Sequence, residues 1–361
     1  MAIAFSGSGA SRPSNNRVVK PNRATGAARW NVKVLRGLEV ALRDPEANLG
    51  TYLLSSTYSK QLETFKESDI RPGKGPRPLP SHDIRSRLRT SDPATVVHEL
   101  SPELLQLLRG GEQFSESVIE LLDGAEVLYK SAWAASCMVF HVSGPIAAKV
   151  TTEEHITTEY RALPYLQEHL PHFPAPRLHG VIRIGRYGLL FTSLVSGTHL
   201  EKVWTQLRHS DKQSTSAQLD ALLNQLRTMP FPPGTPLGGI GGQGCKDGRR
   251  AVRVTSSMYT QFLRSLMPPS PARVVFTHGD IRPANIMVRQ DEGGSWTIVA
   301  IIDWESSGFY PEYWECIKMT NNLTPRVRDD WYLLLPESMS PQQYPVEWLI
   351  DQIWDRNLEN S

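Results

Sequence analysis

Thr277-His-Gly-Asp280-Ile-Arg282-Pro-Ala-Asn285-Ile-Met-Val288, followed by Ile301-Ile-Asp303-Trp-Glu305, is the part of the chain from which the rest is read. Residues 273–277 predict a strand, so Asp280 falls in the loop after it. Residues 286–289 and 296–302 predict a hairpin closed over Asp291-Glu-Gly-Gly294. Asn285 stands at the mouth of that hairpin and Asp303 ends its second strand, which brings Asp303 back beside Asn285. Phosphoryl transfer needs such a set. Oxygen ligands hold Mg²⁺ on the phosphates, and a separate carboxylate orients or deprotonates the attacking hydroxyl. Each residue alone reads as a loop cap or turn residue. The three together, bracketing apolar strand positions, argue against that bland reading.

Working outward, residues 126–129, 137–142 and 146–150 predict three short strands, the last two joined by the turn Ser143-Gly-Pro145. A helix then begins after Thr151-Thr152, with Ile156, Tyr160, Leu163, Leu166 and Leu170 at helical spacing and a kink expected at Pro164. Residues 178–184 and 187–193 predict a hairpin around Gly185-Arg186. Beyond Gly197 the pattern is mainly helical, at 198–208, 215–228 and 254–267, with a Pro/Gly loop from 230 to 248. Residues 311–361 read as helices and loops. A formal GxGxxG, Gly239-Ile-Gly241-Gly-Gln-Gly244, follows Pro-Phe-Pro-Pro-Gly and precedes Cys-Lys-Asp-Gly. It lacks the flanking strand and helix of a dinucleotide fingerprint. Bordering an acceptor pocket and merely joining two helices are equally open for it.

The pair of motifs H-G-D-x4-N and I-I-D-W-E resembles the aminoglycoside phosphotransferase and choline kinase group, and the wording through Gly308-Phe-Tyr-Pro-Glu-Tyr-Trp-Glu315 is most similar to its fungal members. The resemblance covers roughly residues 120–330. It implies an α+β, bilobal protein-kinase-like fold, with a small five-stranded N-lobe carrying one helix and a larger, mainly helical C-lobe. It assigns 111–195 to the N-lobe and 196–361 to the C-lobe. By position it makes Asp280 the catalytic base and Asn285 and Asp303 the Mg²⁺ ligands, with ATP as co-substrate and the hydroxyl of a small molecule as acceptor. His278 is expected to brace the loop; Arg282 faces either substrate or solvent.

Lys149, in the third of those strands, is the lysine such a fold points at the α- and β-phosphates. Its expected partner on the next helix is Glu159, flanked by Ile156 and Leu163 at the edge of the apolar stripe. Glu153 and Glu154 are first-turn acids that the helix dipole explains. Adenine is expected to bond backbone groups near Ser193 and Val195. The phosphate-covering turn, residues 130–136, contains no glycine, and Ser131 or Ser136 is left to bond phosphate. That departure keeps a non-enzymatic, pseudokinase-like binding module open as an alternative. A protein kinase is a further alternative, opposed by the missing arginine beside the base and the missing activation segment.

The front of the chain differs in texture. Residues 1–90 carry 16 Lys and Arg against 7 Asp and Glu, so a basic extension precedes a mildly acidic body. Residues 1–30 read as disordered, with a mitochondrial presequence as the alternative. Residues 71–80, with four prolines and two glycines, read as a linker. Ser101 and Pro102 predict the start of a short helix. The extension is taken to run from 1 to 110. Three distant cysteines argue for a reducing, cytoplasmic setting. No apolar run is long enough to span a bilayer, and the overall charge of +2 suggests neither a nucleic-acid nor a membrane partner; oligomeric state is not legible. Residues 304–361 hold ten acidic and four basic residues. Such a tail would attract a cationic acceptor such as an aminosugar or choline-like amine, although solvated helix faces explain it as well.

Overall fold

The computed structural model describes residues 30, 31, 34, 35, 38, 83–108, 114–131, 137–245, 257–269, 271–324 and 327–359. The chain divides into two compact units, Met1–Pro78 and Leu79–Ser361, and the division falls within the Pro-rich linker. The described residues of the first unit are helical. Of residues 1–30, expected to be disordered, 1–29 lie outside the described residues and Trp30 is helical. No helix among the described residues is long and apolar enough to cross a membrane.

The second unit starts with strand β1 (Ala94–His98), helix α1 (Pro102–Leu107) and helix α2 (Phe114–Asp123). Ser101 caps α1, its hydroxyl accepting the Leu104 N–H at 3.3 Å. Strands β2 (Glu126–Lys130), β3 (Cys137–Ser143) and β4 (Ile146–Thr152) follow, then helix α3 (Glu153–His169) and strands β5 (Leu178–Ile184) and β6 (Tyr187–Ser193). All six strands form one antiparallel sheet in the order β1-β5-β6-β4-β3-β2. The sixth strand, β1, goes beyond the five expected. It pairs with β5 at one edge, and it comes from residues that sequence reading left in the extension.

Alternation divides the sheet into two faces. Ile146, Ala148 and Val150 of β4 join Met138, Phe140, Leu189 and Phe191 in a core closed by Leu104 of α1 and Val118 and Leu122 of α2. N-lobe packing therefore uses two more helices than the one expected. The opposite face carries Lys149 and is covered by α3, whose Ile156 packs on Val181 and Leu190. Pro164 sits inside α3, and the helix continues through it to His169.

The remainder builds the larger lobe. Strand β7 (Thr198–His199) leads into helices α4 (Leu200–Val203), α5 (His209–Leu226) and α6 (Ser257–Leu266). Leu219, Leu223 and Leu226 of α5, at helical spacing, enter a core with Leu163 and Leu166 of α3, Phe276 and Trp304. Strand β8 (Val274–Thr277) pairs with β11 (Gly308–Pro311), while β9 (Ile286–Gln290) and β10 (Trp296–Ile301) form the expected hairpin. Helices α7 (Trp314–Thr320) and α8 (Pro345–Glu359) complete the described chain. The architecture is α+β, a six-stranded antiparallel sheet with its helices followed by a larger, mainly helical part.

The glycine-rich loop at 238–244 is tied to β11 and α3 by hydrogen bonds. Gly238 exchanges both backbone hydrogen bonds with Phe309 at 2.9 Å, and Gln243 accepts the Thr158 hydroxyl of α3 at 2.8 Å. A Cβ on Gly308 would lie 2.3 Å from the Gly238 carbonyl oxygen, so only glycine allows this approach.

Candidate active site

Backbone geometry sets the site before any side chain does. Strand β8 delivers His278, Gly279 and Asp280 into a loop, and Gly279 takes φ +78° there. A Cβ at Gly279 would sit 2.5 Å from the Ser306 carbonyl oxygen. Ile302 donates its N–H to the Asn285 carbonyl at 2.9 Å, extending the hairpin pairing by one residue and setting Asp303 beside Asn285. Asp303 adopts φ 69°, ψ 63°, the left-handed conformation that Asp tolerates better than most residues.

Lys149 lies at the centre of the charged groups. Its Nζ donates to Glu159 Oε2 at 2.8 Å, to Asp303 Oδ1 at 2.5 Å and to Glu305 Oε2 at 2.9 Å. Strand β4, helix α3 and the Asp-Trp-Glu turn thus converge on one ammonium. Burial works against that charge, but the three carboxylates outweigh it and hold the Lys149 pKa well above its ordinary value. Burial likewise raises the Asp303 carboxyl, yet Lys149 holds it below the usual carboxylate range. Glu159, 4% exposed, ends above its ordinary value because burial dominates there. Its other oxygen, Oε1, accepts the Trp304 N–H at 3.2 Å.

Asp280 faces Asn285. The Asn285 amide donates to Asp280 Oδ2 at 2.8 Å and to the Asp280 carbonyl at 2.9 Å. Arg282 Nε lies 3.2 Å from the same Oδ2. Burial raises the Asp280 pKa in spite of the arginine. His278 is fully buried. Its Nε2 faces the Ile302 carbonyl at 3.0 Å and its Nδ1 accepts the Asp280 N–H at 3.2 Å, which assigns the proton to Nε2. Burial pushes its pKa down to about 4, so the ring is a neutral brace.

With its NH₂ committed to Asp280, Asn285 has its amide oxygen for other duties. The Asp303 and Glu305 carboxylates, with Glu159, are hard oxygen donors of the kind Mg²⁺ takes. The carboxylates of Glu159, Asp303 and Glu305 lie within 4.8 Å of one another. The residues present therefore fit a divalent cation near Asp303.

The stretch expected to bond adenine already has part of its backbone paired. Ser193 donates its N–H to the Arg177 carbonyl at 2.8 Å, its hydroxyl accepts the Arg177 N–H at 2.9 Å, and Leu194 donates to the Pro145 carbonyl. Val195 follows in the connection to the larger lobe. Ser131 donates its N–H to the Cys137 carbonyl at 3.0 Å; Ser136 lies outside the described residues.

Two acids were not singled out from the sequence. Glu305 belongs to the quoted Asp-Trp-Glu motif, which was its only signal. Glu315, 1% exposed in the first turn of α7, accepts the His278 N–H at 2.7 Å and the Gly279 N–H at 3.1 Å. It fastens the backbone just before Asp280. Burial drives its pKa up to about 7, although both backbone bonds favour the carboxylate.

The model of a family described as the phosphotransferase enzyme family matches residues 145–337, more than half of the chain. No curated protein sequence matches it. Among solved structures, it resembles an aminoglycoside-3'-phosphotransferase of type VIII at 16% identity, over 65% of this chain and 93% of that one, with a TM-score of 0.42. It resembles aminoglycoside phosphotransferase APH(3'')-Id from Streptomyces rimosus at 15% identity, over 71% and 96%, with a TM-score of 0.41. A streptomycin-ATP-APH(2")-IIa ternary complex is similar at 10% identity, over 72% and 86%, with a TM-score of 0.43.

Proposed function

The chain belongs to the phosphotransferase enzyme family, and from that premise we propose that it transfers the γ-phosphate of ATP to the hydroxyl of a small molecule. The observation that carries the proposal is the convergence of Lys149, Glu159 and Asp303, with Asp280 and Asn285 on the adjoining loop. Lys149 binds the donor phosphates, and Glu159 fixes where its ammonium points. Asn285 and Asp303, with Glu305 nearby, would hold Mg²⁺, which neutralises phosphate charge when bound.

Asp280 orients the acceptor hydroxyl and takes its proton. The acceptor oxygen bonds to the γ-phosphorus, the bond from that phosphorus to the bridging oxygen breaks, and ADP leaves with the electron pair. Burial raises the Asp280 pKa and so strengthens the carboxylate as a base. His278 and Asn285 fix the loop and the carboxylate rotamer.

Asp280→Asn tests the assignment, because it keeps the volume and removes the base. We expect ATP consumption across a panel of hydroxyl-bearing metabolites to fall about 10²–10⁴-fold. Thermal stabilisation by Mg-ATP should persist. Full turnover by the variant, or no stabilisation of the wild-type protein by Mg-ATP, would remove the reading.

A further inference from the structure

Thr157 and Thr158 are neighbours on α3, and their hydroxyls go different ways. Thr157 donates to the Glu153 carbonyl at 2.8 Å, one turn back in the same helix. Thr158 donates out of the helix instead, to Gln243 Oε1 at 2.8 Å, across 85 positions of sequence. It is 1% exposed, so a hydroxyl left without a partner there would be costly. The next residue on the helix is Glu159, whose carboxylate meets Lys149.

Gln243 can act on α3 only if its own loop is fixed. Gly238 exchanges backbone hydrogen bonds with Phe309 of β11, and Gly239 donates its N–H to the Gly244 carbonyl at 3.2 Å, which closes the loop around Gln243. The fit against α3 is close. A Cβ on Gly239 would lie 3.3 Å from Thr158 Cγ2, and one on Gly241 would lie 2.5 Å from Arg161 Nη1. Thr158 and Arg161 are three residues apart, so the loop covers one strip of the helix. At its other side β11 pairs with β8, the strand that leads to Asp280. The loop therefore joins the frame of the Asp280 segment to the helical turn that carries Glu159.

Rotation of α3 matters to Glu159. A carboxylate about 5–6 Å from a helix axis moves by about 1 Å when the helix turns by about 10°. That is enough to break the 2.8 Å contact with Lys149. Ile156 rests on Val181 and Leu190 of the sheet, and the Thr158–Gln243 bond holds the helix from the larger lobe.

We propose that Gln243 is a positioning residue for the donor phosphates: by taking the Thr158 hydroxyl it fixes the rotation of α3, which aims Glu159 and through it the Lys149 ammonium. This rests on the phosphotransfer reading above. It gives the glycine-rich loop a part in that reaction that needs no contact with either substrate.

The test uses the full chain and Mg-ATP. Titration calorimetry reads binding, and thermal melts fix a temperature at which every variant is folded. Thr158→Val and Gln243→Leu each remove one partner at nearly unchanged volume. Each is expected to weaken Mg-ATP binding about tenfold, the worth of about one hydrogen bond. Thr158→Ser keeps the hydroxyl and should bind Mg-ATP as the wild type does. In a Glu159→Gln background the same two substitutions should cost nothing further, because the residue they aim is already disabled. Unchanged affinity in Thr158→Val and Gln243→Leu, with or without a lower melting temperature, overturns the proposal and leaves the bond a purely structural one. A Thr158→Ser protein as weak as Thr158→Val, or an equal tenfold loss in the Glu159→Gln background, also overturns it. A wild-type protein that binds no Mg-ATP removes the phosphotransfer reading itself, and this inference with it. Should one variant fail to fold, the other completes the comparison.

Discussion

Replacing Glu315 probes the least visible support of the site. The carboxylate is buried and holds the His278 and Gly279 N–H groups. In Glu315→Ala both donors lose their partner inside the protein. Each unsatisfied buried N–H costs about 1–3 kcal/mol, so the loss should be roughly 2–6 kcal/mol. Glu315→Gln is milder, because one amide oxygen can take both donors. That variant isolates the titration. In the folded state the carboxyl titrates near about 7, against an ordinary 4.5. The folded protein therefore holds this proton more tightly than the unfolded chain does. The stabilisation tied to it is complete below about pH 4.5 and is lost as pH rises through about 7. The gap corresponds to roughly 3 kcal/mol at about 1.36 kcal/mol per pH unit. Urea unfolding of wild type and Glu315→Gln at pH 5, 6.5 and 8 reads it directly. The variant should gain on the wild type by up to about 3 kcal/mol between the first and last pH. Parallel profiles would show that Glu315 does not carry the shifted proton. A Glu315→Ala protein of unchanged stability would refute its role as a brace.

Two further outcomes follow from the same geometry. Lys149→Met leaves Glu159 and Asp303 without their cation; it should destabilise the fold by about 3–5 kcal/mol and abolish thermal stabilisation by Mg-ATP, both read by calorimetry. Gly279→Ala sets a Cβ 2.5 Å from the Ser306 oxygen at a positive φ; it should cost about 1–3 kcal/mol by urea titration and lower turnover of any acceptor.

The arrangement of residues 277–305 was legible because its parts lie close in sequence. A strand, a loop and a hairpin bring Asp280, Asn285 and Asp303 together within 24 positions, and turn chemistry marks each boundary. Lys149 and Glu159 are ten residues apart, with helical periodicity to indicate which glutamate faces inward. What escaped depends on long-range pairing. Glu305 meets Lys149 across 156 positions, and no local pattern distinguishes it from a surface acid. Glu315 read as one of ten tail acids until the β8–β11 pairing placed α7 under the catalytic loop. Strand β1, Ala-Thr-Val-Val-His, is too short to declare itself without β5 beside it. The charge of the tail has the same limit: a sum over sequence says nothing about which acids already have partners, as Glu312 and Asp330 do.

Glu159 offers one oxygen to a lysine of the sheet and the other to an amide of the larger lobe. It is therefore a two-ended coupling, and its ends cannot be loaded independently. Trp304 in turn packs edge-on against His278, whose ring takes the Asp280 N–H. Three side chains thus join the sheet that carries Lys149 to the loop that carries Asp280, and a single carboxylate is the link between them.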